Sequence, residues 1–249
     1  MYVDTNTNRG SSAMNKHDIV YFVKNAVFNE ELRYSLRSVE SNWPHFRVWF
    51  CGGCPDGIKP DKMMRLNQPG LNKWEKVRNS IIKVCENNEI TEDFWLFNDD
   101  FFVMKPRVDV FEPQYNGTII DYIEQIKKKH GESHSEYTVR LMNTIDALEK
   151  AGFGTLNYEV HKPMLINRAK ALEVLERFPN VGGFRSLYGN YWQIGGENQH
   201  DMKIKELRTF DWEDWEFLST SDGSFREGDV GKYIRGKFNK VSRFEKEVK

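Results

Sequence analysis

Apolar residues in this chain come in short continuous runs that alternate with stretches of helical spacing. Asp18-Ile19-Val20-Tyr21-Phe22-Val23 reads as a buried first strand, a run of β-branched and aromatic residues of strand length. Asn29 then predicts a helix N-cap, with Glu30 and Glu31 in the first turn and Leu32, Leu36 and Val39 on one face. Trp43-Pro44 ends that helix. Phe46-Arg47-Val48-Trp49-Phe50 is a second strand, released by a turn at Gly52-Gly53. Residues 72–87 predict a strong helix, with Trp74, Val77, Ile81, Val84 and Cys85 at helical spacing. A strand at 94–97 follows. Strand, helix, strand, helix, strand is the alternation of a parallel α/β sheet flanked by helices.

After Pro106 the pattern turns helical. Segments 118–130 and 135–150 predict two helices, the second with Leu141, Met142, Ile145 and Leu148 on one face. Gly131 and Gly152-Phe153-Gly154 punctuate them. Residues 107–157 are expected to form a helical insertion beside the site, a lid or an acceptor platform, within one domain over 17–249. Residues 1–16 are polar and read as a flexible leader. Residues 158–166 read as a strand carrying His161-Lys162-Pro163, and 169–178 as a helix. Between Gly182 and Gly196 an aromatic, glycine-rich loop is expected, containing Arg185, Tyr188, Asn190, Tyr191 and Trp192. Phe217-Leu218-Ser219-Thr220 is a short strand running into Ser221-Asp222-Gly223, and 230–238 a small amphipathic helix.

Composition narrows the partners. A net charge of −1 supplies no field to gather nucleic acid or an anionic membrane, so nucleic acid is not the favoured partner. The basic cluster Lys127-Lys128-Lys129-His130 reads as a solvated face. No apolar run approaches the roughly 20 residues that span a bilayer, and a cytoplasmic location is the expectation. Cys51 and Cys54 have CxxC spacing, but Gly52-Gly53 and Pro55 give them the look of a turn, and no second pair completes a zinc site.

One segment interrupts the apolar pattern with chemistry. In Phe94-Trp95-Leu96-Phe97-Asn98-Asp99-Asp100-Phe101-Phe102-Val103-Met104, two adjacent carboxylates and an amide sit among aromatic residues. Burying anionic groups there is costly without a compensating charge. Mg²⁺ or Mn²⁺ carrying a diphosphate supplies it, since both favour carboxylate oxygens and keep positions open for phosphate. An acidic turn between two strands explains the same residues. The pair follows the carboxyl end of a strand, where open α/β sheets bind ligands.

In order along the chain, these segments resemble the Stealth family of sugar-phosphate transferases. Glu31-Leu32-Arg33-Tyr34-Ser35-Leu36-Arg37-Ser38-Val39-Glu40 matches that family's ELRYSLRSIE stretch almost letter for letter. Phe97-Asn98-Asp99-Asp100-Phe101 matches its FNDDVF. Arg78-Asn79-Ser80, His161-Lys162-Pro163 with Arg185-Ser186, Ser221-Asp222-Gly223 and the stretch from Phe238 to Glu245 resemble its further blocks. Departures occur at Lys24-Asn25, where the family has an acidic residue, at Ser221 for Asn, and at Asn239 for Pro.

The resemblance implies a GT-A-like, mostly parallel mixed sheet, a nucleotide-diphospho-sugar donor and a divalent cation on Asp99 and Asp100. It implies transfer of a sugar 1-phosphate to a glycan hydroxyl. A glycosyltransferase moving the sugar itself to a glycan, protein or hydroxylated DNA base, or a non-catalytic carbohydrate- or nucleotide-binding module, fits the same motifs. Arg33 and Arg37, one helical turn apart, are donor-phosphate contacts or partners of Glu30 and Glu40. Asn79, Ser80 and Asn98 are donor contacts or ordinary polar and capping residues. His161 is a general base for the acceptor hydroxyl or a structural histidine. Arg185 is a clamp on the transferring phosphate or a surface residue. Asp222 is a further ligand or base, or part of an Asp-Gly turn. Tyr188, Tyr191 and Trp192 stack on sugar or pack in the core.

Overall fold

The computed structural model describes residues 17–67, 71–107, 112–131, 135–208, 211–212 and 214–246. The expected leader at 1–16 lies outside them, as do parts of the expected insertion. Among the described residues, ten strands and eight helices run β1 (Asp18–Val23), α1 (Glu30–Asn42), β2 (Val48–Gly52), β3 (Lys62–Met64), α2 (Lys73–Glu86), β4 (Asp93–Phe97), β5 (Phe101–Val103), β6 (Gln114–Tyr115), α3 (Ile119–His130), α4 (Glu136–Lys150), β7 (Met164–Asn167), α5 (Arg168–Arg177), α6 (Phe184–Tyr191), β8 (Glu197–Asn198), β9 (Lys203–Ile204), β10 (Phe217–Thr220), α7 (Asp222–Glu227) and α8 (Asp229–Lys237). The main sheet has the order β3-β2-β1-β4-β7. Its first four strands are parallel, and β7 runs antiparallel to β4. The fold is therefore mixed α/β with a mostly parallel central sheet.

Alternation along the central strands fills two layers. Val20, Phe94 and Leu96 face a core built with α2 to α6, while Ile19, Tyr21, Trp95 and Phe97 face α1. Ile119, Ile123, Leu141, Ile145 and Leu148 of α3 and α4 belong to the first of these cores. A second sheet, β5-β10-β9, begins where β4 ends. Phe102, Met104 and Leu218 on its far side form a third core with Phe225, Val230 and Ile234 of α7 and α8.

Helix α1 joins the two sheets through polar side chains. Ser35 Oγ donates to Phe101 O at 2.5 Å, Ser38 Oγ accepts from Val103 N at 2.9 Å, and Asn42 donates to Val103 O at 2.7 Å. These bonds cover the outer edge of β5, where an unpaired ladder would otherwise remain.

Three expectations need correction. The segment before β7 is not extended throughout: the strand starts at Met164, directly after Pro163, which has no N–H to give a ladder. The expected loop at 182–196 contains α6, launched by Gly183 in the left-handed region at φ 66°. Gly189 inside it lets the Tyr158 ring approach so closely that a Cβ there would lie 2.5 Å from a ring carbon. Ser221-Asp222-Gly223 is no simple turn: Ser221 caps α7 in a capping box with Ser224.

Candidate active site

Strands β1 and β4 deliver their carboxyl ends to a cavity of about 380 Å³, lined there by Phe22, Leu96 and Asn98. Across it stand His161, Arg185 and the α2 residues Trp74 and Arg78. Asn98, His161 and Arg185, far apart in sequence, thus share one cavity. Asn79 and Ser80 are absent from its lining, because Arg78 is the residue that α2 turns inward at this level. Arg78 donates to Phe178 O at 3.2 Å and Leu175 O at 2.5 Å, satisfying carbonyls at the end of α5.

The acidic pair sits in the turn between β4 and β5, at the junction of the two sheets. Asp99 Oδ2 accepts from Asn29 Nδ2 at 2.7 Å, while Asn29 Oδ1 accepts from Leu32 N at 2.9 Å. One amide therefore caps α1 and holds Asp99. Burial, reinforced by the charge of Asp100, raises the Asp99 pKa despite that bond and the charge of Lys24. Asp100 Oδ2 accepts from Lys203 Nζ at 2.7 Å and Ser219 Oγ at 3.1 Å. Its Oδ1 is buried and has no hydrogen-bond partner.

A third carboxyl joins them. Glu31 Oε1 accepts from Thr220 Oγ1 at 2.6 Å. Burial first, then repulsion from Asp100, Asp222 and Asp99, pushes Glu31 up to about 7. Asp222 is exposed in the first turn of α7.

His161 is aimed by Asp201. Asp201 accepts from the His161 backbone N at 3.0 Å and pairs with its Nδ1 at 2.7 Å. Burial pushes the Asp201 carboxyl up, but the bonds and charge of His161 outweigh it and hold it below the ordinary range. An ionised carboxylate only accepts, so Nδ1 carries the proton and Nε2 is left as the basic nitrogen. Arg185 is buried, its Nη1 donating to Lys162 O at 2.5 Å and its Nη2 lacking any partner. Burial lowers its pKa against the pull of Glu159, Asp100 and Asp201.

The remaining expected residues lie elsewhere. Arg37 donates Nε and Nη2 to the two carboxylate oxygens of Glu245, at 2.7 and 2.8 Å, and Nη1 to Phe238 O. That fork is engaged by the segment from Phe238 to Glu245. Arg33 reaches the same Glu245 at 3.7 Å and remains partly exposed, its Nε buried without a partner. Tyr188 is core, its hydroxyl accepting from Asn167 N, and Tyr191 and Trp192 pack beside it. The buried thiols of Cys51 and Cys85 are pushed up to about 12 and are chemically quiet.

Asn29, Glu31, Asp201, Lys203, Ser219 and Thr220 were not expected in the site. Asn29 carried only a helix-start signal, Glu31 headed the matched stretch with no role of its own, and Lys203 lies in a segment with no motif. Among the described residues, no three His, Cys, Asp or Glu side chains form a ready metal cluster. The donor set is nonetheless suited to a hard cation: carboxylate oxygens alone, one of them buried and unbonded.

No protein-family model matches the chain, and no curated protein sequence matches it. Among solved structures, the chain is similar to the galactosyltransferase LgtC in complex with donor and acceptor sugar analogs, at 11% identity and TM-score 0.47, over 92% of this chain and 98% of that one. It is similar to the glycosyltransferase GlyE of Streptococcus pneumoniae at 11% identity and TM-score 0.37, over 75% and 46% of the two chains. It is also similar to mouse xyloside xylosyltransferase 1 at 9% identity and TM-score 0.33, over 92% and 96%. Likenesses this distant carry no argument. No described helix is long and apolar enough to cross a membrane.

Proposed function

We propose that this chain is a GT-A-like transferase that takes a nucleotide-diphospho-sugar and passes its sugar 1-phosphate to an acceptor hydroxyl. The observation that supports the cation in this reading is the buried, unbonded Oδ1 of Asp100 beside a second half-buried carboxylate, and the transfer of a sugar 1-phosphate follows the resemblance to the Stealth family. Such an atom costs about 1–3 kcal/mol unless something fills its lone pairs. Asp99 and Asp100 would hold Mg²⁺ or Mn²⁺, which when bound neutralises charge on the donor diphosphate.

The chain's own residues supply the rest. His161, fixed by Asp201, takes the proton of the acceptor hydroxyl at Nε2. Arg185 offers an unpaired N–H to a phosphate oxygen on the same cavity. A guanidinium there stabilises negative charge on the donor's phosphate oxygens as the acceptor attacks. Phe22, Leu96 and Trp74 keep the cavity partly apolar.

The test is incubation with a panel of nucleotide-diphospho-sugars, Mn²⁺ and glycan acceptors, followed by identification of the released nucleotide. A nucleoside monophosphate supports the reading. A nucleoside diphosphate replaces it with transfer of the sugar itself, and binding without turnover replaces it with a binding module. Asp100→Asn should abolish turnover; retained turnover removes the assigned role.

A further inference from the structure

A single short segment serves both halves of the site. Asp201, which aims His161, and Lys203, which pairs with Asp100, are two residues apart where the chain enters β9. Asp201 lies just before β9 and Lys203 is its first residue. The register Ser219↔Lys203 across β10 and β9 then brings both donors of Asp100 Oδ2 alongside each other.

The two donors differ in freedom. Ser219 is fully buried within β10, whereas the Lys203 side chain keeps 21% of its surface exposed on a flexible stem. A divalent ion on Asp99 and Asp100 would stand a few ångströms from this ammonium. At that range like charges repel strongly in a partly buried site, and the lysine is the group able to move.

We propose that Lys203 is the resident counter-ion of Asp100, that a divalent cation displaces it, and that the freed ammonium then engages a phosphate oxygen of the donor. The inference rests on the cation reading of Asp99 and Asp100 given above. It makes Lys203 a donor-binding residue parked on the cation site. The diphosphate arrives beside Asp100, so the displaced Nζ stays within reach of a compact phosphate partner.

Lys203→Met and Lys203→Arg separate these roles, with Mn²⁺ binding followed by calorimetry and then pyrophosphate binding at saturating Mn²⁺. Lys203→Met is expected to bind Mn²⁺ about tenfold more tightly and pyrophosphate about tenfold more weakly than the unmodified protein, with Lys203→Arg near it in both. Unchanged Mn²⁺ affinity, or unchanged pyrophosphate affinity, in Lys203→Met overturns the proposal. Should that variant fail to fold, amine acetylation of the unmodified protein decides. Mn²⁺ should speed labelling of Lys203 relative to exposed Lys59, and equal rates overturn the proposal. Asp100→Asn tells the two readings apart. If it binds Mn²⁺ as the unmodified protein does, the cation reading itself fails; if it loses Mn²⁺ while Lys203→Met behaves as unmodified, only the role of Lys203 fails.

Discussion

Asp201 holds His161 at two points, the backbone N–H at 3.0 Å and the ring Nδ1 at 2.7 Å. Two anchors on one residue fix both the position of the loop before β7 and the rotation of the imidazole. The proton on Nδ1 follows from the carboxylate partner, and it leaves Nε2 basic.

Asp201→Asn keeps the shape but removes the charge and permits the wrong tautomer. Turnover should fall by roughly 10²-fold or more while donor KM and the melting temperature stay close to those of the unmodified protein. Steady-state kinetics beside a melting curve checks this; a parallel loss of stability and activity would make the pair merely structural.

Glu31 gives stability a pH dependence of known sign. Its carboxyl rises from an ordinary 4.5 to about 7 in the folded protein, so the folded state holds that proton more tightly than the unfolded chain. The favourable contribution is fully present below 4.5 and is lost as pH climbs through about 7. Thr220, Asp99, Asp100 and Asp222 are the groups that face it. Glu31→Gln should stabilise by roughly 1–2 kcal/mol at pH 8 and by little at pH 4, after discounting for partial solvent screening. Urea titrations at both pH values measure the difference.

Arg37 and Glu245 form an ion pair with both side chains mostly hidden, 9% and 5% exposed. Removing one partner strands a buried charge, so Arg37→Met or Glu245→Gln alone should cost about 3–5 kcal/mol. The double variant should cost clearly less than the sum. Additive losses in chemical denaturation would show that the pair is not coupled.

Gly189→Ala tests the seat of α6. The added methyl meets the face of Tyr158, whose hydroxyl is tied to Gly195 O at 2.8 Å and whose backbone N is tied to Ser186. With the ring unable to slide away, destabilisation of about 1–3 kcal/mol is expected, read as a lowered melting temperature.

The main sheet was legible because its strands are continuous apolar runs and its helices carry explicit caps: Asn29, Asn72, Thr118 and Ser135 all cap helices where polar residues precede periodic ones. Helix α6 was not legible, since its glycines and aromatics mimic a loop and only the Tyr158 contact explains Gly189. The most distinctive motif was also the most misleading in detail. Within the stretch from Glu31 to Glu40, Ser35 and Ser38 close the edge of β5 and Arg37 clasps Glu245, while Glu31, which looked like a helix-start acid, turns to the acidic turn. Periodicity places a residue on a helix face; it does not say which strand waits opposite. Lys203 was invisible for the same reason, being set beside Ser219 by the pairing of β9 with β10, and Asp201 lies just before that strand.

The clasp between Arg37 and Glu245 spans 208 positions. A ribosome therefore delivers the guanidinium long before the carboxylate that matches it. Until nearly all of this fold has left the exit tunnel, α1 either keeps Arg37 in water or waits undocked. This corner of the protein closes only once residue 245 has emerged, and a nascent chain arrested before it should hold α1 open to protease.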